Sequence, residues 1–437
     1  MSHREETDSN AGGQVPGSAH GAMTRRAVGV ALAGAAAGFA GTAGTARLTS
    51  HGTGTASPGA PVTRAELTAY PTGTFNVGSL YWLPPANDPT GKDDVANINS
   101  LLSQGYAVYL TPGAQYFISS PILPVKGSRI DGGQWWSAVD SDIYSAGGLP
   151  GQTGGALITM TSTFSGDAAI SMPDPGSAAT SQQWGVDISG LTIEGHSVNP
   201  GAPPSPPVYG IHVTGAWGAC FLRGVCVHRP PQDCVRFDVG ASDAIPDDWY
   251  IEGCKFSGSR YGYGFHASHL DDSWITTSES SENALDGWYL DHGVNTRFTS
   301  CKGENNGGNG WQLAGLGASQ TVLLNGCSTH LNDQHGFLFS NAGSGALGTY
   351  LLSGCLAQQD GQTAGYDGYA SNGCLSRVIA TGCHVDVNGT GPTYGALESN
   401  GSYGMCFTGS RLQGVSGATH DDGSNTHALV NQSPVPF

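Results

Sequence analysis

The chain has 437 residues, of which 68 are glycine and only 12% are charged, and its formal net charge is −17. The glycines follow no Gly-X-Y period, which excludes collagen. The acidic balance argues against nucleic acid as a partner, because a phosphate-binding face needs clustered lysine and arginine. The abundance of Gly, Asn, Ser and Thr is typical of a turn-rich β protein.

Residues 1–46 have the pattern of an export signal. A polar start leads to Thr24-Arg25-Arg26 and then to a Gly/Ala-rich run from Ala27 to about Ala46, which ends in small residues suited to cleavage. The arginine pair resembles a twin-arginine signal, although Val28-Gly29 stand where that class usually has Phe-Leu. The run is poor in Leu, Ile and Phe, which disfavours a membrane span. We therefore predict a secreted, extracellular protein without membrane contact after signal removal.

Residues 47–92 are predicted to form a linker and an N-terminal cover. A short helix is then expected to begin at Asp93-Asp94, because acidic residues favour a helix N-terminus. Val95, Ile98 and Leu101-Leu102 fall on one face of that helix. Two strands follow, at 107–110 and 116–118, with a Pro-Gly turn between them.

The stretch from this helix to Gly133, which includes AVYLTPGAQYFISSPILPVKGSRIDGG, resembles the opening of the pectate-lyase-like superfamily. In that superfamily a short helix caps the open N-terminal end of a right-handed parallel β-helix. Phage tailspikes, polygalacturonase relatives and many secreted bacterial carbohydrate enzymes share this fold. The resemblance covers about 40 residues; it implies the fold and says little about function.

A repeat dominates the second half of the chain. Cysteines at 254, 301, 327, 355 and 383 are separated by 47, 26, 28 and 28 residues, and the long gap divides into 25 and 22 if Glu279 occupies a missing position. Cys226 extends the series upstream. A second stripe runs beside the first, at Gly264-Phe265, Gly287-Trp288, Gly310-Trp311, Gly336-Phe337 and Gly368-Tyr369. The repeat is too short for a propeller blade. It predicts an all-β parallel β-helix over residues 93–413, with 414–437 as a C-terminal cover.

Stacked coils place repeat-related residues side by side. We therefore interpret the ladder cysteines as buried free thiols, and Trp288, Trp311 and Phe337 as interior packing rather than sugar-stacking surfaces. Disulfides stay open for the cysteines off the ladder, namely Cys220, Cys234, Cys374 and Cys406.

Acidic and histidine side chains three positions after the ladder form the first candidate site. With Glu279 as a ladder position, Glu282 and Glu304 would lie about 5 Å apart at the backbone. Two such carboxylates split their pKa values, as a general acid and base require, and separations of about 5 to 9 Å cover retaining and inverting glycoside hydrolysis. His330 on the next coil could orient or share a proton. A solvated polar turn column is the alternative interpretation.

A second acidic pair, Asp271 and Asp272, precedes a strand, and Asp247-Asp248 occupies the corresponding place one coil earlier. Stacked acidic pairs are costly unless they bind a cation, share protons or meet solvent. This pair is the second catalytic candidate.

The candidate substrate-binding residues are Lys255, Lys302, Arg297, Asn305, Asp333 and Tyr289. In a lyase the basic members would neutralise a uronate carboxylate while a Lys, Arg or His removes the adjacent proton. They fit ion pairs with Glu282 and Glu304 equally well. Tyr289 follows an inward-facing tryptophan and is therefore expected to point outward.

Together these features predict an enzyme that cleaves the glycosidic bonds of a polysaccharide without a cofactor, using Glu282 and Glu304. Two alternatives stay open. One is a Ca²⁺-assisted polysaccharide lyase acting by β-elimination on a uronate polymer; the other is a non-enzymatic, tailspike-like carbohydrate-binding solenoid. Side-by-side association into a homotrimer also stays open.

Overall fold

The computed structural model describes residues 80–133, 155–176, 183–195, 198, 201–316, 320–340, 348–362, 365–386, 391–422 and 430–432. All of them belong to the compact unit that spans residues 53–437. The predicted export signal and most of the predicted linker lie outside these ranges. Within the described residues, the longest apolar helical stretch falls short of what crossing a bilayer requires.

The predicted helix spans Lys92–Ser103 and precedes the first complete coil. Val95, Ile98 and Leu102 on its buried face pack into the hydrophobic core. Asp94, also buried, accepts hydrogen bonds from the backbone N–H groups of Ala86 (2.7 Å) and Phe117 (2.9 Å). The carboxylate thereby ties the helix N-terminus to a neighbouring strand.

Three parallel sheets, A, B and C, are visited in turn to give a solenoid of about 11 coils. Sheet A comprises Leu80–Leu83, Ala107–Leu110, Arg129–Asp131, Asp187–Ser189, Cys220–Arg223, Trp249–Glu252, Trp274–Thr276, Thr296–Thr299, Thr321–Asn325, Thr349–Ser353, Arg377–Thr381, Met405–Thr408 and Val430–Gln432. Sheet B comprises Gln115–Ile118, Ala156–Met160, Leu191–Glu194, Cys226–His228, Lys255–Ser257, Glu279–Ser281, Lys302–Glu304, Ser328–His330, Leu356–Gln358 and His384–Asp386.

Sheet C comprises Ala168–Met172, Tyr209–Thr214, Val235–Asp238, Phe265–Ala267, Trp288–Leu290, Trp311–Ala314, Phe337–Ser340, Tyr369–Asn372, Tyr394–Ser399 and Gly417–Asp421. Two short pairs lie between sheets C and A: Gln183–Trp184 with Trp217–Gly218, and Leu270–Asp271 with Gly293–Val294. A single 3-10 turn is assigned in the described ranges, at Ala241–Asp243. The predicted parallel β-helix is confirmed, and its last strands extend into the predicted C-terminal cover.

The Gly-Cys pairs of the ladder occupy the corner between sheets A and B. Gly253 and Gly326 have φ values of 59° and 60° there, a left-handed conformation that glycine adopts without steric cost. The cysteine that follows points into the solenoid, and Cys254, Cys327 and Cys355 are each fully buried. A narrow corner with an inward side chain explains why a small residue recurs at this position.

The ladder register differs by one residue from the sequence prediction. Lys255 pairs with Glu279, and Glu279 pairs with Lys302. Ser278 therefore occupies the missing position, and its hydroxyl accepts a hydrogen bond from the backbone N–H of Cys254 (3.1 Å). Cys226 likewise pairs with Lys255 and not with Cys254. A buried serine with hydrogen-bond partners costs less than a buried carboxylate, so Glu279 faces outward.

All ten cysteines are free, including the four off the ladder, and nine of them are buried. Burial raises the pKa of the Cys254 thiol to about 12. The prediction of unpaired thiols is confirmed for the ladder, and the disulfides left open for the remaining cysteines do not form.

The second stripe forms an interior aromatic column. Trp288 and Trp311 stack with ring centroids 5.0 Å apart, and Phe337 continues the column at 6.1 Å. The glycine before each tryptophan packs against a buried asparagine: a Cβ on Gly287 would lie 2.6 Å from Nδ2 of Asn306. Interior packing of these rings, as predicted, is confirmed.

Candidate functional site

The expected alignment of Glu282 with Glu304 is wrong. Glu304 pairs with Ser281, because Ser278 and not Glu279 continues the ladder. Glu282 lies one residue further, at the corner between sheets B and C, with a φ of 59° and an exposed side chain. Its neighbour on the next coil is Asn305, the residue that follows Glu304. The two carboxylates therefore occupy different columns of the solenoid.

Glu304 is instead held in a local ion cluster on the outer face of sheet B. Its carboxylate contacts the Lys302 ammonium and lies 2.9 Å from Nδ1 of His330, whose Nε2 lies 3.0 Å from Oε1 of Gln359. Burial raises the pKa of Glu304, but the hydrogen bonds to Lys302 and His330 outweigh it and lower the pKa. A carboxylate kept ionised by two partners is a poor proton donor.

The second predicted pair, Asp271 and Asp272, also separates. Asp271 lies 3.0 Å from Nε2 of His269 and is half-buried. Asp272 is exposed, with a φ of 43°, and accepts a hydrogen bond from Nδ2 of Asn295 (2.6 Å). The predicted stacking on Asp247 is confirmed, since Asp247 pairs with Asp271. The adjacent carboxylates have different partners, so they do not form an acid/base pair with each other.

The predicted basic and polar residues do not converge on one site. Lys255 lies 3.0 Å from the Glu279 carboxylate on sheet B, and the Arg297 guanidinium lies 5.4 Å from the Trp274 ring centroid on sheet A. Asn305 and Asp333 are exposed beyond sheet B. Of the six predicted binding residues, only Tyr289 lies on sheet C.

A cluster of ionisable side chains lies on the outer face of sheet C. One column, with one residue per coil, runs through His212, Arg236, His266, Tyr289 and Gln312. Successive members are about 4.8 Å apart at the backbone because they occupy adjacent parallel strands. Three of the five, His212, His266 and Tyr289, have side chains that can gain or lose a proton in general acid/base catalysis.

His212 lies between two carboxylates. Its Nδ1 is 2.7 Å from Oδ2 of Asp167, and its Nε2 is 3.0 Å from Oδ2 of Asp238. Burial lowers the pKa of His212, but hydrogen bonds to both carboxylates outweigh it and raise the pKa to about 9. The ring is therefore a cation at neutral pH.

Arg236 links this arrangement to the next coil. Its guanidinium donates to Oδ1 of Asp238 at 2.7 Å and lies 3.5 Å from Oδ2 of Asp233. It also contacts both ring nitrogens of His266, with Nη1 3.0 Å from Nε2. The guanidinium has no acceptor atoms and a neutral imidazole has one acceptor nitrogen, so Nε2 accepts from Arg236 and Nδ1–H faces the Asp233 carboxylate.

His266 is the central member of the column. It is 9% exposed, and its Nδ1 lies 3.3 Å from Oδ2 of Asp233, which is itself buried. Burial lowers the pKa of His266 and the charge of Arg236 lowers it further, while the hydrogen bond to Asp233 opposes both; the pKa is lowered overall. The imidazole is therefore neutral at pH 7 and oriented by a carboxylate.

Two phenols enclose this imidazole. The rings of Tyr263 and Tyr289 each lie edge-on to His266, with centroids 4.6 Å away. Burial raises the pKa of both hydroxyl groups, that of Tyr289 to about 12. Both phenols therefore carry their protons at neutral pH and can donate them.

Acidic residues at the start of the sheet C strands have a structural role. Asp233 accepts a hydrogen bond from the backbone N–H of Tyr263 (2.9 Å), and Asp367 accepts one from the backbone N–H of Tyr394 (2.8 Å). Between them, Asp286 accepts from the side chain of Asn309 at 2.9 Å. These side chains join successive coils, which leaves Arg236, His266 and the two tyrosines as the groups suited to chemistry.

Sequence reasoning missed this column, although a signal existed. The outward orientation of Tyr289 and Gln312 follows from the inward tryptophans before them. Extending that rule upstream reaches Phe265-His266 and then Val235-Arg236 and Ile211-His212. The aromatic stripe begins only at Phe265, so the coils of Arg236 and His212 have no Gly-aromatic pair that would mark the inward-facing position.

Comparison with known proteins supports the fold. Residues 209–411 match the model of the right handed beta helix region family. Of the solved structures, the tailspike protein of E. coli bacteriophage HK620 in complex with pentasaccharide is 12% identical, with a TM-score of 0.54 over 80% of this chain and 62% of the tailspike chain.

The chain folds as a right-handed parallel β-helix, the fold that this family model describes. Another match is the A-module of a mannuronan C-5 epimerase of Azotobacter vinelandii, which is 16% identical with a TM-score of 0.48 over 80% of this chain and 98% of the module. The curated proteins contain no significant sequence match. At these identities the similarity shows the fold alone, so the β-helix's activity has to be argued from its own side chains.

Proposed function

We propose that this β-helix is a polysaccharide-modifying enzyme that removes the proton next to the carboxylate of a uronate residue and thereby cleaves the chain by β-elimination. The observation that carries the proposal is the neutral imidazole of His266, oriented by Asp233 and placed one coil from Arg236 and one coil from Tyr289. A base, a cation and a proton donor are the three groups that this reaction requires.

The residues act in a defined order. In the resting enzyme Arg236 donates to the ring of His266, so the lone pair is occupied. A uronate carboxylate draws the guanidinium toward itself, which frees His266 to take the proton from C5. The C4–O bond breaks as the C4–C5 double bond forms, and the Tyr289 hydroxyl gives its proton to the leaving oxygen.

Hydrolysis by paired carboxylates has less support. Glu282 and Glu304 lie in different columns, and Glu304 is kept ionised by Lys302 and His330. On sheet C, by contrast, the phenols of Tyr263 and Tyr289 are protonated and the imidazole beside them is neutral. That combination favours proton abstraction over attack by an activated water. A tailspike of the same fold binds a pentasaccharide, so the scaffold is compatible with an oligosaccharide ligand.

Product analysis on a polysaccharide panel tests the proposal. Uronate-containing and neutral polymers are incubated with the wild type and with His266→Ala, and products are followed by ultraviolet absorbance and by reducing ends. We expect unsaturated ends from the wild type only. New reducing ends without unsaturation would show hydrolysis, and solvent deuterium at C5 without cleavage would show epimerisation. Binding without turnover would favour the tailspike-like solenoid.

Calcium dependence and export stay separate proposals. Among the described residues, no group of three or more His, Cys, Asp or Glu side chains is arranged to hold a metal ion. If Ca²⁺ bridges the enzyme and a uronate, chelation abolishes turnover and added Ca²⁺ restores it. Export is tested by fusing residues 1–46 to a reporter and replacing Arg25-Arg26 with lysines, which should block secretion.

A further inference from the structure

A second column of side chains runs beside the sheet C cluster, at the corner where the chain passes from sheet C to sheet A. Trp184 pairs with Gly218, whose next neighbour in the column is Asp247, and Asp247 pairs with Asp271. The coils correspond one to one: Gly218 follows His212, Asp247 follows Arg236 and Asp271 follows His266 along the chain. A polymer lying along the cluster therefore meets this corner at every coil.

Trp184 is the aromatic member of this corner and is 37% exposed. Its ring lies over Gly218: a Cβ there would be 2.8 Å from Cζ3 of Trp184 and 2.4 Å from Oδ1 of Asp247. The missing side chain thus leaves space in which the indole and the carboxylate come together. An indole beside a carboxylate suits a sugar, because the apolar face of a pyranose packs on the ring and its hydroxyls donate to the carboxylate.

The other exposed aromatic residues of the described chain differ. Tyr250 is 39% exposed on sheet A, but its ring is stacked between Phe221 (5.2 Å) and Trp274 (5.0 Å), so both faces are covered. Trp82 is 53% exposed on the first strand of sheet A, where its indole donates to Oγ1 of Thr111 (2.9 Å). Trp184 alone of the three lies beside the cluster.

The charge of the corner selects the kind of sugar. Asp247, Asp271 and Asp272 line it, and the nearby cations of the cluster, His212 and Arg236, already contact carboxylates. A uronate placed against Asp247 would bring two carboxylates together in a partly desolvated site, which is costly. A neutral sugar carries no charge, so this electrostatic cost does not arise.

Resting on the proposed function, we propose that Trp184, Gly218 and Asp247 form a subsite for an uncharged sugar, one to three coils from His266. The substrate is then a mixed polymer in which uronates are separated by neutral sugars. A polymer with a carboxylate on every unit is a poor ligand.

Binding and turnover of defined polymers by the full chain test this subsite. The probes are polygalacturonate, which is charged at every sugar, and two alternating polymers, hyaluronan and chondroitin. Affinity electrophoresis gives the affinity, and unsaturated product gives kcat and KM. We expect preferential binding of an alternating polymer. Trp184→Ala should raise KM for it roughly three- to tenfold with kcat within about twofold, and Trp184→Phe should restore most of the affinity. The matched control, Trp82→Ala, should match the wild type.

Unchanged affinity in Trp184→Ala, or equal binding of polygalacturonate and the alternating polymers by the wild type, overturns the subsite. The two proposals fail in different ways. If Trp184→Ala weakens binding while His266→Ala keeps full turnover, the subsite stands and the proposed chemistry is wrong. If His266→Ala abolishes turnover and Trp184→Ala changes nothing, the chemistry stands and the subsite is wrong. A wild type that binds no polymer overturns both.

Discussion

The outer faces of sheets B and C both pair a histidine with a carboxylate, but the pairs differ in electrostatic state. On sheet B, Glu304 lies 2.9 Å from His330 and also contacts Lys302, and these partners lower the pKa of the carboxyl group. On sheet C, His266 is buried against Arg236, which keeps the imidazole neutral. The same residue types therefore form a closed ion cluster on one face and an available base on the other. The difference comes from the burial of His266 and from its neighbour Arg236, in contrast to the ion pair between Glu304 and Lys302 on sheet B.

The largest expected effect separates the two histidines. His266→Ala should lower turnover about 100- to 10,000-fold, the range for loss of a general base. His330→Ala, the matched change on sheet B, should stay within about twofold of the wild type. The measurement is the initial rate of product formation with both variants folded by circular dichroism. Equal losses in both variants would remove the distinction between the faces.

Two neighbouring asparagines show how far stability depends on position. Asn306 is buried, and its Oδ1 accepts from the backbone N–H (3.1 Å) and Nδ2 (2.9 Å) of Asn283. Asn306→Ala should cost about 2–4 kcal/mol of unfolding free energy, because it leaves buried donors unpaired.

Asn305, one residue earlier, is exposed with a φ of 52°. Asn305→Gly keeps that conformation and should change the unfolding free energy by less than about 0.5 kcal/mol. Urea titration measures both variants. A similar cost for the two would contradict the buried hydrogen-bond ladder.

Stability at alkaline pH should reveal the charge of His212. Its pKa is raised from 6.5 to about 9 in the folded state. The stabilisation is therefore complete below pH 6.5 and is lost as pH rises through 9, with a magnitude of about 3 kcal/mol. Buried thiols such as Cys254, whose pKa is raised from 9.0 to about 12 in the folded state, weaken the fold only above about pH 9. The informative quantity is thus the difference between wild type and His212→Gln.

That difference should shrink between pH 6.5 and pH 9 in urea titrations. An unchanged difference would mean that His212 is neutral between Asp167 and Asp238. The acidic limb of the rate profile reports the other histidine: turnover should fall as His266 gains a proton below its lowered pKa.

The smallest expected effect belongs to the residue first predicted to be catalytic. Glu304→Gln should leave turnover within about twofold and change the unfolding free energy by less than about 1 kcal/mol, as for other partly exposed ion pairs. Rates and urea midpoints check both numbers. Abolished turnover with an unchanged fold would restore the carboxylate hypothesis for sheet B.

Periodicity explains what could be predicted. The Gly-aromatic stripe identified Trp288 and Trp311 as interior, and the helix at Lys92–Ser103 followed from its acidic start and apolar face. The site did not follow in the same way, because the corner between sheets A and B accepts several residue types. Thr277 and Ser300 take the left-handed conformation there with φ values of 48° and 54°, where other coils use glycine. A search for Gly-Cys therefore misses Ser278, and the pairing slips by one residue.

The sequence by itself determined the solenoid, its inward stripes and its unpaired thiols, because each depends on a repeat and on the alternation of strand side chains. Only the tertiary structure decided which polar columns come together. Backbone pairing aligned Glu304 with Ser281 and His266 with Arg236 and Tyr289. Hydrogen bonds to two carboxylates then made His212 a cation, whereas burial and the charge of Arg236 made His266 a neutral base. Register and desolvation arise from contacts between coils, and no single repeat contains them.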